Sequence, residues 1–158
     1  MITGFNHTSF TVANIDKSVR FWTEMLGFKA ASVSSRKGSW QEEVTGVPGA
    51  SLMVAHLYGY GHHIEFIQYL TGAAKGVPPQ PSLAGAAHVC LEVDDVERTW
   101  NELLAAGASG QGKIAYVNTG SASGCLAGYI RDPNGIIIEL LELKNSGSIA
   151  VSLKEIDV

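Results

Sequence analysis

Two residue types that bind metals recur at matching places along the chain. His7 opens the strand-like run His7-Thr8-Ser9-Phe10-Thr11-Val12, and His88 opens His88-Val89-Cys90-Leu91-Glu92-Val93. Glu65 lies in Ile64-Glu65-Phe66-Ile67-Gln68, and Glu139 in Ile138-Glu139-Leu140-Leu141-Glu142. Imidazole nitrogens and carboxylate oxygens together make a ligand set for a divalent ion such as Zn, Ni, Co, Mn or Fe. A carboxylate among aliphatic side chains is costly to bury unless it is paired or coordinated. A single strand histidine is ordinarily structural, and a single strand Glu can mark an exposed edge. The recurrence of both types at corresponding positions is what points to a site.

The elements that position these residues read as one unit used twice. Each histidine-bearing run is followed by a helical pattern, with Val19, Trp22, Met25 and Leu26 on one stripe and Val96, Trp100, Leu103 and Leu104 on the other. Asp94 and Glu97 resemble a capping box, and Gly27 and Gly107 stand where helix ends favour glycine. In the second half, Ile114 to Asn118 and Leu126 to Arg131 read as strands, and Asp132-Pro133-Asn134-Gly135 is a turn feeding a strand over Ile136 to Leu143. In the first half, Gly59-Tyr60-Gly61 takes the place of that turn before His62 to Tyr69. The expected organisation is a βαβββ unit over 1–70, a linker over 71–84, a second βαβββ unit over 85–144 and a tail over 145–158. Three of the five prolines fall in the linker, and the tail offers a strand over Ser148 to Leu153.

Alternation along the strands places His7, Ser9 and Thr11 on one face and Thr8, Phe10 and Val12 on the other. His88, Cys90 and Glu92 likewise oppose Val89, Leu91 and Val93. Glu139 has Ile137 and Leu141 as same-face neighbours, and Glu65 has His63 and Ile67. The four candidate ligands are therefore His7, Glu65, His88 and Glu139, with Glu65 and Glu139 also able to act as bases.

Composition removes other classes. Apolar residues are 46% and mean hydropathy is +0.12, too apolar for a disordered chain. No apolar run has the length of a membrane helix, and the beginning MITGFNHTSF is unlike a signal peptide. A net charge of −4 without Lys/Arg clusters speaks against a nucleic-acid binder. Cys90 and Cys125 fit no CxxC pattern and read as reduced thiols, which with the foregoing gives a cytoplasmic protein as the expectation.

The segments FNHTSFTVANIDKSVRFWTEMLGF, HHIEFIQY, GAAHVCLEVDDVERTWNELLAAGA and GYIRDPNGIIIELLEL together resemble the vicinal oxygen chelate superfamily over roughly residues 4 to 143. That superfamily includes glyoxalase I, methylmalonyl-CoA epimerase, fosfomycin- and bleomycin-resistance proteins and extradiol dioxygenases. The resemblance implies an α+β fold in which duplicated βαβββ units form two curved mixed sheets around a central metal-binding cavity. It implies a substrate that chelates the ion through adjacent oxygens. The ligand set His7, Glu65, His88 and Glu139 is similar to that of bacterial glyoxalase I. Methylmalonyl-CoA epimerase usually has Gln at the position of Glu65, while extradiol dioxygenases and fosfomycin-resistance enzymes use two His and one Glu. The complete set favours a metal-dependent lyase or isomerase that abstracts a proton next to a carbonyl. The alternatives are an extradiol-type dioxygenase using Fe(II) or Mn(II), and a non-catalytic resistance protein that sequesters its ligand.

Two positions depart from the family pattern or align loosely. Glyoxalases show an Arg before their "VLG" equivalent for the glutathione carboxylate; here Glu24 stands there, which implies a substrate without glutathione. In the epimerases a Glu on an inner strand of the first unit acts as base, and Glu42 or Glu43 lies roughly there. His63 is expected as a polar wall residue, with an auxiliary donor or an alternative ligand as the other readings, His56 can line the cavity and His62 faces away. Tyr58, Tyr60, Tyr69, Tyr116 and Tyr129 are candidate substrate donors, and Cys90 is expected to pack. The stretch Gly46-Val47-Pro48-Gly49-Ala50 reads as a loop. A homodimer is the expected assembly, because small units with sheet edges gain by closing them.

Overall fold

A computed structural model describes residues 1–73, 76–120 and 123–143. The tail strand expected over Ser148 to Leu153 lies outside the described residues. The chain forms two compact units, one comprising Met1–Pro79 with Pro133–Ile136, the other the remaining described residues.

The first unit runs β1 (Thr8–Thr11), α1 (Ile15–Glu24), β2 (Lys29–Arg36), α2 (Ser39–Thr45), β3 (Ser51–Gly59) and β4 (His62–Thr71). Its sheet has the order β1-β4-β3-β2, with β1 parallel to β4 and the other neighbours antiparallel. The second unit runs β5 (His88–Glu92), α3 (Val96–Ala105), β6 (Ser109–Gly110), β7 (Ala115–Tyr116), β8 (Leu126–Arg131) and β9 (Ile137–Glu142). Its order is β5-β9-β8-β6, with β7 also on β8 and β5 parallel to β9. The fold is therefore α+β, with two mixed sheets and no closed barrel among the described residues.

Helices α1 and α3 form because their N-termini are capped and their apolar stripes are buried. Asn14 caps α1 by accepting from Lys17 N–H, and Ile15, Ser18, Phe21 and Trp22 are buried. Phe21 and Ser18 thus belong to the stripe assigned above to Val19, Trp22, Met25 and Leu26. Trp22 is fully enclosed, its ring 5.2 Å from Phe66 on β4 and 5.0 Å from Phe28. The cap of α3 is Asp95, which accepts from Arg98 N–H, whereas Asp94 pairs through its carboxylate with the Arg98 side chain at 2.8 Å. The capping box expected at Asp94 is thus displaced by one residue. Leu104, expected on the α3 stripe, is exposed, while Val96 and Leu103 are buried. Trp100 lies over bare backbone. A Cβ at Gly110 or Gly128 would come within 3.0 Å of its ring.

The turns fix the register that aligns the site residues. Tyr60 and Gly61 both have positive φ, at 53° and 77°, the geometry of a two-residue hairpin turn between β3 and β4. Tyr60 is held there by its hydroxyl, which donates to the Leu26 carbonyl at 3.0 Å, and by edge contact with Phe28. Asn134 donates to the Asn14 carbonyl at 2.7 Å and accepts from Asn14 N–H at 3.0 Å. Two expectations are corrected. Residues 114–118 form only the short strand Ala115–Tyr116, and the segment carrying Glu42 and Glu43 is helix α2 instead of an inner strand. Gly38 and Gly46 bracket that helix with positive φ, and Glu42 is engaged in accepting from Gly49 N–H at 3.0 Å. Neither Glu42 nor Glu43 therefore supports the epimerase-type base.

Candidate metal centre

In the first unit, parallel pairing sets Ser9 beside Glu65 and brings the preceding His7 against β4. His7 Nε2 lies 3.3 Å from Glu65 Oε1, and the carboxylate is largely buried, with 14% of its side-chain surface exposed. On its other nitrogen, His7 Nδ1 meets Asn6 Oδ1 at 2.7 Å. Asn6 Oδ1 can accept from Nδ1–H, which leaves Nε2 facing the carboxylate. Imidazole nitrogen and carboxylate oxygen side by side can share a proton or serve together as donors to a cation.

More imidazoles stand on the same face. His56 on β3 is the cross-strand partner of Glu65, with Nδ1 3.8 Å from Oε2. His56 Nδ1 and His63 Nε2 are 3.0 Å apart, and the His63 ring is stacked on Tyr58 at 4.3 Å. Burial holds His56 below the ordinary imidazole value; Glu65 opposes that shift, while His63, Arg36 and His7 reinforce it. A groove of about 340 Å³ adjoins this face, lined by Phe5, Asn6, Tyr58, Gly59, Gly61, His62 and His63.

The second unit repeats the pair. His88 on β5 and Glu139 on β9 approach to 3.0 Å between Nε2 and Oε2. Cys90 lies directly opposite Glu139 across β5–β9, and Tyr129 opposite it across β8–β9. Partial desolvation, then the charge of Glu139 and a hydrogen bond to it, push the Cys90 thiol up to about 11. The same burial, with Glu139 and Cys90 beside it, raises Tyr129. The Tyr129 ring is 5.0 Å from that of His88.

Each unit thus brings together the histidine and the glutamate singled out in its own repeat. Among the described residues, no three His, Cys, Asp or Glu side chains are gathered tightly enough, as they stand, to enclose an ion. The contribution of Asn6 was not legible, since the second histidine follows Ala87 and the repeat gives no hint of an orienting partner. The closeness of Tyr129 to Glu139 depends on the register of β8 against β9.

A family model described as Glyoxalase/Bleomycin resistance protein/Dioxygenase superfamily matches residues 4–140. The chain belongs to that superfamily. A probable lactoylglutathione lyase of Vibrio parahaemolyticus serotype O3:K6 is 25% identical over 148 residues, covering 90% of this chain and 92% of that protein. A 2-epi-5-epi-valiolone epimerase of an Actinomyces species is 27% identical over 143 residues, covering 87% and 78%. Among solved structures, a glyoxalase family protein from Bacillus cereus superposes with a TM-score of 0.76 at 25% identity, covering 92% and 97%. Members of the superfamily bind small molecules, and divalent metals are common among them. Among the described residues, no helix is long and apolar enough to cross a membrane.

Proposed function

We propose that this superfamily member is a metal-dependent lyase or isomerase that abstracts a proton from carbon next to a carbonyl in a small substrate with adjacent oxygens. His7, Glu65, His88 and Glu139 would hold a divalent ion, Zn, Ni, Co or Mn, within one chain or across a homodimer. The observation that carries the reading is the pairing of one His Nε2 with one Glu carboxylate in each unit, at 3.3 Å and 3.0 Å. When bound, the ion supplies Lewis-acid stabilisation of negative charge developing on the carbonyl oxygen.

The chain's own residues account for the rest. Asn6 Oδ1 would accept from His7 Nδ1–H and so hold the imidazole with Nε2 toward the ion. Glu139 and Glu65 are the bases: a partly buried carboxylate with water thinned around it accepts a carbon-bound proton and returns it at a neighbouring or inverted position. Tyr129, close to Glu139 across the strand pair, is positioned to donate a hydrogen bond to a substrate oxygen. Glu24 is engaged with Arg20 at 3.1 Å and offers no cation for a glutathione carboxylate, which supports a substrate lacking that group.

The test is solvent exchange. The metal-loaded protein is incubated in D₂O with a panel of 2-oxoaldehydes and α-hydroxyketones, and deuterium at the carbon next to the carbonyl is followed by NMR. Enzyme-dependent deuterium incorporation or isomerisation supports the proposal. Oxygen consumption with catechols in the absence of any exchange would replace it with the dioxygenase reading. Tight ligand binding without turnover would replace it with sequestration.

A further inference from the structure

The edge strand of the first sheet carries a cation with one side unpaired. Cross-strand partners share a face, so Ser32 beside His56, Ser34 beside Val54 and Arg36 beside Leu52 carry the Glu65 face out to β2. Of these three, Ser34 and Arg36 are half-buried. Arg36 Nη1 donates to Ser34 Oγ at 2.5 Å and to the Ser35 carbonyl at 3.4 Å, so the side chain folds back along β2 toward the row of His56. Its charge reaches that row, where it opposes protonation of His56. Arg20 and Arg98 are paired with Glu24 and Asp94, whereas no carboxylate among the described residues pairs with Arg36. Both its hydrogen bonds use Nη1, so the edge formed by Nε and Nη2 has no partner among the described residues. That edge is a fork suited to a carboxylate through two parallel bonds. A half-buried cation without a counter-ion is costly, and a bound anion removes the cost.

We propose that Arg36, held by Ser34, binds a carboxylate at the end of the substrate remote from its adjacent oxygens, so that the substrate is a small organic acid. The inference rests on the function proposed above and names the class of its substrate. On a regular sheet the row of Ser34 lies two strands and one pleat step from Glu65, an offset of about 12 Å. Contacts of about 3 Å at each end leave about 6 Å for the substrate between them, the span of one para-substituted ring. One guanidinium balances a singly charged carboxylate and leaves a doubly charged phosphate half compensated, which favours the carboxylate. Lys29, opposite Tyr58, is a second cation on this face of β2, but it is exposed.

The experiment compares two chelating probes on the metal-loaded full chain by isothermal titration. Benzohydroxamate offers adjacent oxygens alone, and 4-carboxybenzohydroxamate adds a carboxylate across the ring. Wild type is expected to bind the second about 10–100-fold more tightly, the span for hydrogen bonds to a charged group. Arg36→Gln is expected to remove that preference and to leave the affinity for benzohydroxamate unchanged. Arg36→Lys should keep part of the preference and Lys29→Gln all of it, with circular dichroism checking each fold. Equal affinity of wild type for the two probes, or a preference that survives both Arg36 changes undiminished, overturns this inference and leaves the metal centre intact. Tighter binding of a 4-phosphono probe than of the carboxylate overturns the choice of carboxylate. Failure of wild type to bind either hydroxamate contradicts the metal centre itself, and this inference falls with it.

Discussion

The carboxylate of Glu142 accepts a hydrogen bond from the backbone N–H of Val96, the first residue of α3, at 2.9 Å. The first unit repeats the device, with Gln68 Oε1 accepting from the N–H of Ile15 at the start of α1 at 2.8 Å. Gln68 and Glu142 each stand three residues after a candidate ligand, Glu65 or Glu139, on the opposite face of the strand. One strand thus holds a site carboxylate on one face and the end of its helix on the other, so the two tasks fall to different side chains.

That division separates stability from metal binding. Val96 is fully buried, so Glu142→Ala leaves its N–H without a partner and is expected to cost about 1–3 kcal/mol. Chemical denaturation measures the loss. Metal content of the folded variant should remain close to wild type.

Asn6→Ala is expected to weaken metal binding by about 10–100-fold, the range for removal of a group that orients a ligand. His7 would keep its place beside Glu65 and lose its contact with Asn6. Chelator competition on wild type and variant checks it, and equal affinities would refute the orienting role.

Much of the architecture is legible in the sequence because the duplication doubles every signal. The His88 and Glu139 runs confirm what His7 and Glu65 suggest, and the Asp132-Pro133-Asn134-Gly135 turn sets the start of β9. What escapes is whatever lacks a repeat partner. Helix α2 has only seven residues, and its Trp40 and Val44 are exposed, so no buried stripe marks it. The 3.0 Å contact between His56 and His63 depends on the β3–β4 register, which rests on Tyr60 adopting a positive φ that tyrosine rarely takes. Asp94 and Asp95 are adjacent and chemically alike, and only the start of α3 at Val96 decides which one caps it.

Cys90 should be a slow thiol despite its exposure. A thiol held at about 11 instead of 9.0 has about 100-fold less thiolate at pH 8, and alkylation rates follow thiolate. Iodoacetamide labelling of metal-free protein, read by peptide mass, is expected to be slower by about that factor than for an unperturbed thiol. Glu139→Gln removes the neighbouring charge and should accelerate it. Cys125 is buried and contributes no fast phase.

His56 gives the stability a pH dependence. Its folded value lies below the ordinary 6.5, so below that pH the unfolded chain binds the proton more readily than the folded one. Its contribution is therefore fully present above about 6.5 and is lost as pH falls through the folded value. Denaturation of metal-free wild type and His56→Gln between pH 5 and 8 should show the wild type gaining more stability with rising pH. Parallel profiles would refute the assignment.

The central claim, that Glu139 is both ligand and base, is tested most directly by the metal affinity of Glu139→Gln. Glutamine keeps the volume and removes the charge and the basicity, so the circular dichroism spectrum should be unchanged. In competition with a chelator the variant should bind metal more weakly than wild type. With metal in saturating excess it should still lose about 10²–10⁴ in rate, the span for removal of a general base. Equal metal affinity in the variant and the wild type would contradict the account.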